Sequence, residues 1–329
     1  MFSGEKYSDE LSELEIRNIL YGFRQKGGEC LILSGGEVAT RNDLLNIVDY
    51  AYTIGLETSI MTNGTLWSEQ MIKEVCPKVV SVQISLDGFN EEENALVRGA
   101  GNFDKTMKTI DLFLRENIRT IIAVTPWPCK NLSFKKEQYL QFEKEIKEKY
   151  HDKQLVVKYT ADLMEGRELH LTDDERDEYF KIMLDISNGS DRLNEEDRFI
   201  LQQQQNIIKD NWCTYGHLTI TATGDVYFCG KITELLPYGN IRDIPMDKIM
   251  VDAAKAKSMS AIQHLVPCND CELRYICAGE CRIKYCEPYK NCKSICEYPC
   301  SQIFKRACSP QHKEHFYEML INANSKLFK

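Results

Sequence analysis

Seven cysteines in the last third of the chain limit its fold more tightly than any other feature. Cys213 is followed by ten residues, Gly224, four residues and Cys229; then come Cys268-x2-Cys271-x5-Cys277-x3-Cys281 and, after a gap, Cys300. Thiolates at such short intervals on looped backbone suit soft metals, and a set this large points to more than one iron–sulfur cluster. Structural zinc is the rival, because C-x2-C pairs also build zinc ribbons. The five- and three-residue spacings, with a glycine hairpin upstream, favour iron and sulfide.

Of the fourteen cysteines, only Cys30, Cys76 and Cys129 precede Cys213, and these read as small buried or surface residues. The opening MFSGEKYSDE has neither the basic nor the apolar stretch of a secretory signal, so the expected compartment is a reducing cytoplasm. Clustered cysteines there mean metal or redox chemistry rather than disulfides. No apolar run is long enough to suggest a membrane span. A net charge of −9 argues against a nucleic-acid partner, whose backbone demands cationic surface. The step in cysteine content sets the expected domains: 1–170, a helical connector over 171–212, and a cysteine-rich domain over 213–329.

The first two thirds alternate helix and strand. Ser12-x-x-Glu15 is a capping-box pattern opening a helix near Glu13, which Gly27-Gly28 stops. Buried-strand signals follow at Cys30–Leu33, Thr58–Thr62, Val79–Leu86, Thr120–Val124 and Gln154–Tyr159, with helical periodicity between them. Such alternation implies βαβ units and a parallel sheet or barrel. The charge-rich Phe134–Lys149 reads as a solvated helix face, and polar helices are expected near 172–187 and 193–209. Leu218–Ala222 and Val226–Phe228 read as a hairpin around Gly224-Asp225.

Parallel α/β folds carry their chemistry at the C-terminal ends of strands. Here those ends are Ser34-Gly35-Gly36-Glu37, Thr62-Asn63-Gly64 and Ser85-Leu86-Asp87-Gly88, followed by Arg98-Gly99 and Gly101-Asn102-Phe103. Each alone is turn chemistry. In this order, ahead of the cysteine array, they resemble the radical AdoMet (radical SAM) family with a C-terminal SPASM domain. The resemblance spans roughly 12–160 and 213–308, and it implies an α/β partial (β/α)6 barrel followed by a small iron–sulfur domain. It assigns Gly35, Gly36 and Glu37 to the methionine amino group of AdoMet, and Asn63, Ser85, Asp87 and Arg98 to the rest of that cofactor. Val38 stands where the family usually has proline, which implies a slightly altered loop.

The family's defining C-x3-C-x2-C lies after the first barrel strand and ahead of the first helix. No such triplet occurs in these 329 residues, and no cysteine precedes Cys30. Five strands are visible where the family has six. The expectation is an N-terminally shortened chain that lacks the first strand and, without three thiolates for the cluster that cleaves AdoMet, is inactive as it stands.

By the same resemblance, Cys213, Cys229 and Cys281 hold the first of two auxiliary [4Fe–4S] clusters, with no fourth ligand just upstream. Cys268, Cys271, Cys277 and a distal cysteine hold the second; Cys300 fits best, with Cys296 and Cys308 as rivals. Cys286, Cys292, Cys296 and Cys308 exceed the pattern and are further ligands or free thiols. His312-x2-His315 is read as part of a polar helix. The implied function is modification of a ribosomally made peptide, such as a thioether or other cross-link, with a peptide or protein substrate and a reductant such as flavodoxin or ferredoxin. Gly230 stands where sulfatase maturases usually carry aspartate, which places that branch second. A non-catalytic electron-transfer or peptide-binding partner is the other alternative. No catalytic acid or base stands out.

Overall fold

Five short runs of β-branched and apolar residues pair side by side in chain order. In the computed structural model these are β1 (Cys30–Leu33), β2 (Glu57–Thr62), β3 (Ser81–Ser85), β4 (Thr120–Val124) and β5 (Leu155–Tyr159). They form one sheet in the order β1-β2-β3-β4-β5, with every pair parallel. The described residues are 9–128, 132–160, 171–172, 175, 178–179, 181–183, 185–186, 215–230, 237–279, 304–305, 310, 313–314, 316–318 and 320–321.

Parallel strands need a crossover between them, and helices supply it here. These are α1 (Glu13–Gln25), α2 (Leu44–Thr53), α3 (Glu69–Val75), α4 (Glu91–Arg98), α5 (Phe103–Arg115) and α6 (Lys136–Lys149). Strand alternation sends Ile60, Val82, Ile84, Ile122 and Val157 to the helix side, where they meet Ile110, Phe113 and Leu114 of α5. Full burial of each such side chain contributes about 1.5–3 kcal/mol, set against the entropy of ordering the chain.

Two helices depart from the sequence reading. The pattern reading did not pick out α4; its signal was Asn90, whose side chain accepts from the Glu93 N–H at 2.9 Å as an N-cap. The charge-rich α6 is not simply a solvated face, because it buries Tyr139, Glu143 and Ile146. Its charges lie on the outside while one apolar stripe joins the core. Thr172 and Glu175 exchange hydrogen bonds in a capping box, and Tyr179, Met183 and Ile186 also enter that core. The helix expected near 193–209 lies outside the described residues.

The chain divides into two compact units: Met1–Lys6 with Glu13–Asn194, and Tyr7–Ser12 with Glu195–Lys329. In the second, β6 (Thr219–Ile220), β7 (Asp225–Tyr227) and β8 (Gly239–Asn240) form an antiparallel sheet. The expected β6–β7 hairpin is present, with Gly224 at φ +90° in its turn. The helix α7 (Met246–Met259) packs Ile249, Ala253 and Ala256 with Val226, Ile262 and Leu265. A short parallel pair, β9 (Leu265–Val266) and β10 (Phe304–Lys305), completes it. Among the described residues, no helix is long and apolar enough to cross a membrane.

Gly88 is required by close approach: a Cβ there would lie 2.1 Å from the Asn94 backbone N of α4. Gly88→Ala should therefore lower unfolding free energy by about 1–3 kcal/mol, read as a shifted urea midpoint. Gly230→Ala, where a Cβ would meet only Thr219 Oγ1 at 3.6 Å, should leave the midpoint in place.

Candidate ligand site at the strand ends

Two polar knots hold the three strand-end motifs: one ties the first two together, and the other fixes the third. The first is built on Glu37. Its Oε1 accepts from the Ala39 N–H at 3.0 Å and the Thr62 hydroxyl at 2.7 Å, and its Oε2 accepts from the Asn63 N–H at 2.7 Å. Thr62 Oγ1 in turn accepts from Trp67 Nε1 at 2.8 Å and Gly64 N at 2.9 Å. From α5, the Thr106 hydroxyl donates to the Asn63 carbonyl and the Thr109 hydroxyl to the Gly64 carbonyl. The Glu37 carboxylate thus points into the next loop, leaving only some of its acceptor capacity on Oε2.

The second knot is built on Asp87, which is 1% exposed. Its Oδ2 accepts from Arg98 Nε at 2.5 Å and its Oδ1 from the Thr125 N–H at 2.8 Å. Its own N–H donates to Asn94 Oδ1 at 3.1 Å, and the Tyr139 hydroxyl donates to its carbonyl at 3.1 Å. Burial pushes the carboxyl above the usual aspartate range, while the guanidinium and the Thr125 N–H pull it down. Both oxygens of Asp87 are occupied, so it does not meet a ligand itself; it aims Arg98.

Several groups at this end remain open. Arg98 Nη1 and Nη2 have no partner among the described residues, and the side chain is 34% exposed. Gly35 has φ +154° with nothing within 4 Å of a Cβ placed on it, so its loop borders open space. Asn63 folds its Oδ1 back onto Thr65, which leaves its Nδ2 outward. Ser85 is half-buried at the end of β3. Asn94 is buried with its Nδ2 unpartnered, one helical turn from Arg98 on the same face of α4. A small zwitterion fits this donor and acceptor set: carbonyls for an ammonium, a fixed guanidinium for a carboxylate. Sequence reading missed Thr62, Trp67, Asn94, Thr125 and Tyr139, which act by holding others. Only the Asn90-x-x-Glu93 cap hinted at the helix that brings Asn94 and Arg98 together.

Four of the seven array cysteines lie among the described residues. Cys229 (2% exposed) and Cys268 (6%) both enter the second unit's apolar core. Cys271 follows Cys268 in one tight turn, its N–H donating to the Cys268 carbonyl at 3.0 Å, and Cys277 ends the next helical turn, Arg274–Cys277. Among the described residues no three metal-ligating side chains converge; Cys213, Cys281, Cys300 and the surplus cysteines fall outside them, as do Cys129 and the His312/His315 pair. Three thiols within ten residues of turn-rich backbone remain a donor set suited to soft iron. Cys30 is exposed and Cys76 is buried, its thiol pushed up to about 12 by desolvation, which makes it inert.

The Radical SAM superfamily model matches residues 1–128, and SPASM, an iron–sulfur cluster-binding domain, matches 212–272. An AdoMet-dependent heme synthase of Methanosarcina barkeri is 24% identical over 84% of this chain and 83% of its own length. Mycofactocin maturase MftC of Mycolicibacterium smegmatis is 34% identical over 33% of this chain, and that match spans 28% of MftC. The solved structure of anSMEcpe with bound AdoMet and Cp18Cys peptide has a TM-score of 0.63 at 18% identity, covering 97% of this chain and 93% of that one.

Thr62→Val removes the hydroxyl that serves Glu37, Trp67 and Gly64. It should cost about 1–3 kcal/mol of unfolding free energy by stranding buried donors, measured by urea denaturation, and Thr62→Ser should recover most of it.

Proposed function

Because the chain belongs to the radical SAM superfamily and carries a SPASM iron–sulfur cluster-binding domain, we propose that it is a peptide-modifying member of that family. AdoMet binds at the ends of β1–β3, and two auxiliary [4Fe–4S] clusters sit on the C-terminal cysteines. The observation that carries the AdoMet reading is the Asp87–Arg98 pair, which presents a fixed, partly exposed guanidinium in the helix after β3. In this reading Arg98 takes the carboxylate of AdoMet, the carbonyls around Gly35 and Gly36 take its ammonium, and Asn63 and Ser85 contact the remainder. Glu37 and Asp87 keep those groups in place. The auxiliary clusters, when bound, supply one-electron uptake from a radical product, and an external donor such as flavodoxin or ferredoxin completes the partners. A peptide substrate is supported by the maturase name of one relative and the peptide-bound state of the structural neighbour.

The residues present do not fit the cluster that cleaves AdoMet. C-x3-C-x2-C occurs nowhere in the 329 residues, so no step is routed through that cluster. In this reading the polypeptide of this sequence binds AdoMet without cleaving it, and the modification proposed above requires a cleaving cluster that these 329 residues do not supply.

A tetrapyrrole substrate is the second reading, because the heme-synthase relative matches along most of the chain while MftC matches a third of it. Titration with hemin separates the two: a Soret shift at stoichiometric hemin favours the tetrapyrrole.

After anaerobic reconstitution the protein should be brown and carry about eight iron atoms, as two four-iron clusters require. Zinc in place of iron would overturn the cluster reading, and 5′-deoxyadenosine formed with dithionite would overturn the non-cleaving one. Asp87→Asn should weaken AdoMet binding about tenfold by releasing Arg98 from its charged partner, read by equilibrium dialysis.

A further inference from the structure

The sheet has a second face, and its side chains differ from those in the core. Parallel strands are ordinarily covered on both faces and apolar on both. Here register places Gln83 beside Ile121 and Ser85 beside Ala123, and Ala123 beside Lys158, all on the face opposite Ile84, Ile122 and Val157. Val157 and Tyr159 are buried in the core, so alternation sends Lys158 between them the other way, and it is exposed. Lys158 has no hydrogen-bond or ion-pair partner among the described residues.

The row Ser85–Ala123–Lys158 lies at the C-terminal end of the strands, level with the candidate AdoMet loops. Two strand spacings separate Ser85 from Lys158, about 10 Å. Ala123 between them raises only a methyl group and is 8% exposed, so the accessible side chains of the row are the half-buried Ser85 and the exposed Lys158. Side chains stand roughly perpendicular to a sheet, which holds the Lys158 ammonium over this face. An exposed ammonium with an apolar wall at its base (Ile121 and Val156) and no counter-charge among the described residues is matched by an anion brought in from outside.

We propose that Lys158 is a substrate-binding residue that pairs with a carboxylate of the peptide substrate, an Asp or Glu side chain or the C-terminus. The substrate carboxylate lies against the exposed Lys158, at the strand-end side of this face. The proposal rests on the reading of the strand ends as the reacting end, and it names the substrate feature that this end selects.

The test is reductive methylation of the protein's lysines with 13C-formaldehyde, followed by NMR titration with N-acetyl-glutamate-N-methylamide and with its glutamine counterpart. The Lys158 resonance is identified by its loss in Lys158→Gln. It should move with the glutamate compound, stay in place with the glutamine compound, and move further than the resonance of exposed Lys105. Equal response to both compounds, or a response no larger than that of Lys105, would overturn the proposal. AdoMet binding is measured on the same sample by dialysis. Its loss alongside an intact Lys158 response would strike the AdoMet reading and leave this one standing.

Discussion

A buried carboxylate at the end of the central strand organises this site. Asp87 draws hydrogen bonds from α4, from the end of β4 and, through its backbone carbonyl, from α6. An ionised group in the interior is tolerated only when its lone pairs are filled and its charge is matched. Arg98 and the Thr125 N–H meet both conditions. The consequence is geometric: the guanidinium that balances Asp87 is thereby pointed, with its outer nitrogens free, at the place where a ligand carboxylate would sit.

Glu37 has the matching role in the loop after β1. Its charge is spent on the Asn63 N–H and the Thr62 hydroxyl, so that two loops from adjacent strands are tied together. Preorganisation of this kind lowers the entropy that binding must otherwise overcome. Both acids are supports, their oxygens filled by donors from the protein itself.

The two units make different demands on chemistry. The first has a large apolar core and polar strand ends held by hydrogen bonds among its own side chains and backbone. The second places two cysteines in its own small core and gathers a third and fourth on tight turns. A small domain that buries thiols this way gains folding energy from the metal that binds them.

The alternation of strands and helices, the order of the loop motifs and the cysteine spacing were all readable from the chain, because periodicity and turn chemistry are local. The five strands lie where the pattern put them, within a few residues. Tertiary structure alone decided what Asp87 and Glu37 do, since a carboxylate's role depends on which donors reach it from elements 11 to 38 residues away. It also decided that charge-rich α6 lends Tyr139 to the core. Sheet register, finally, set Lys158 in line with Ser85 across Ala123. No local signal links those three residues, because only the pairing of strands makes them neighbours.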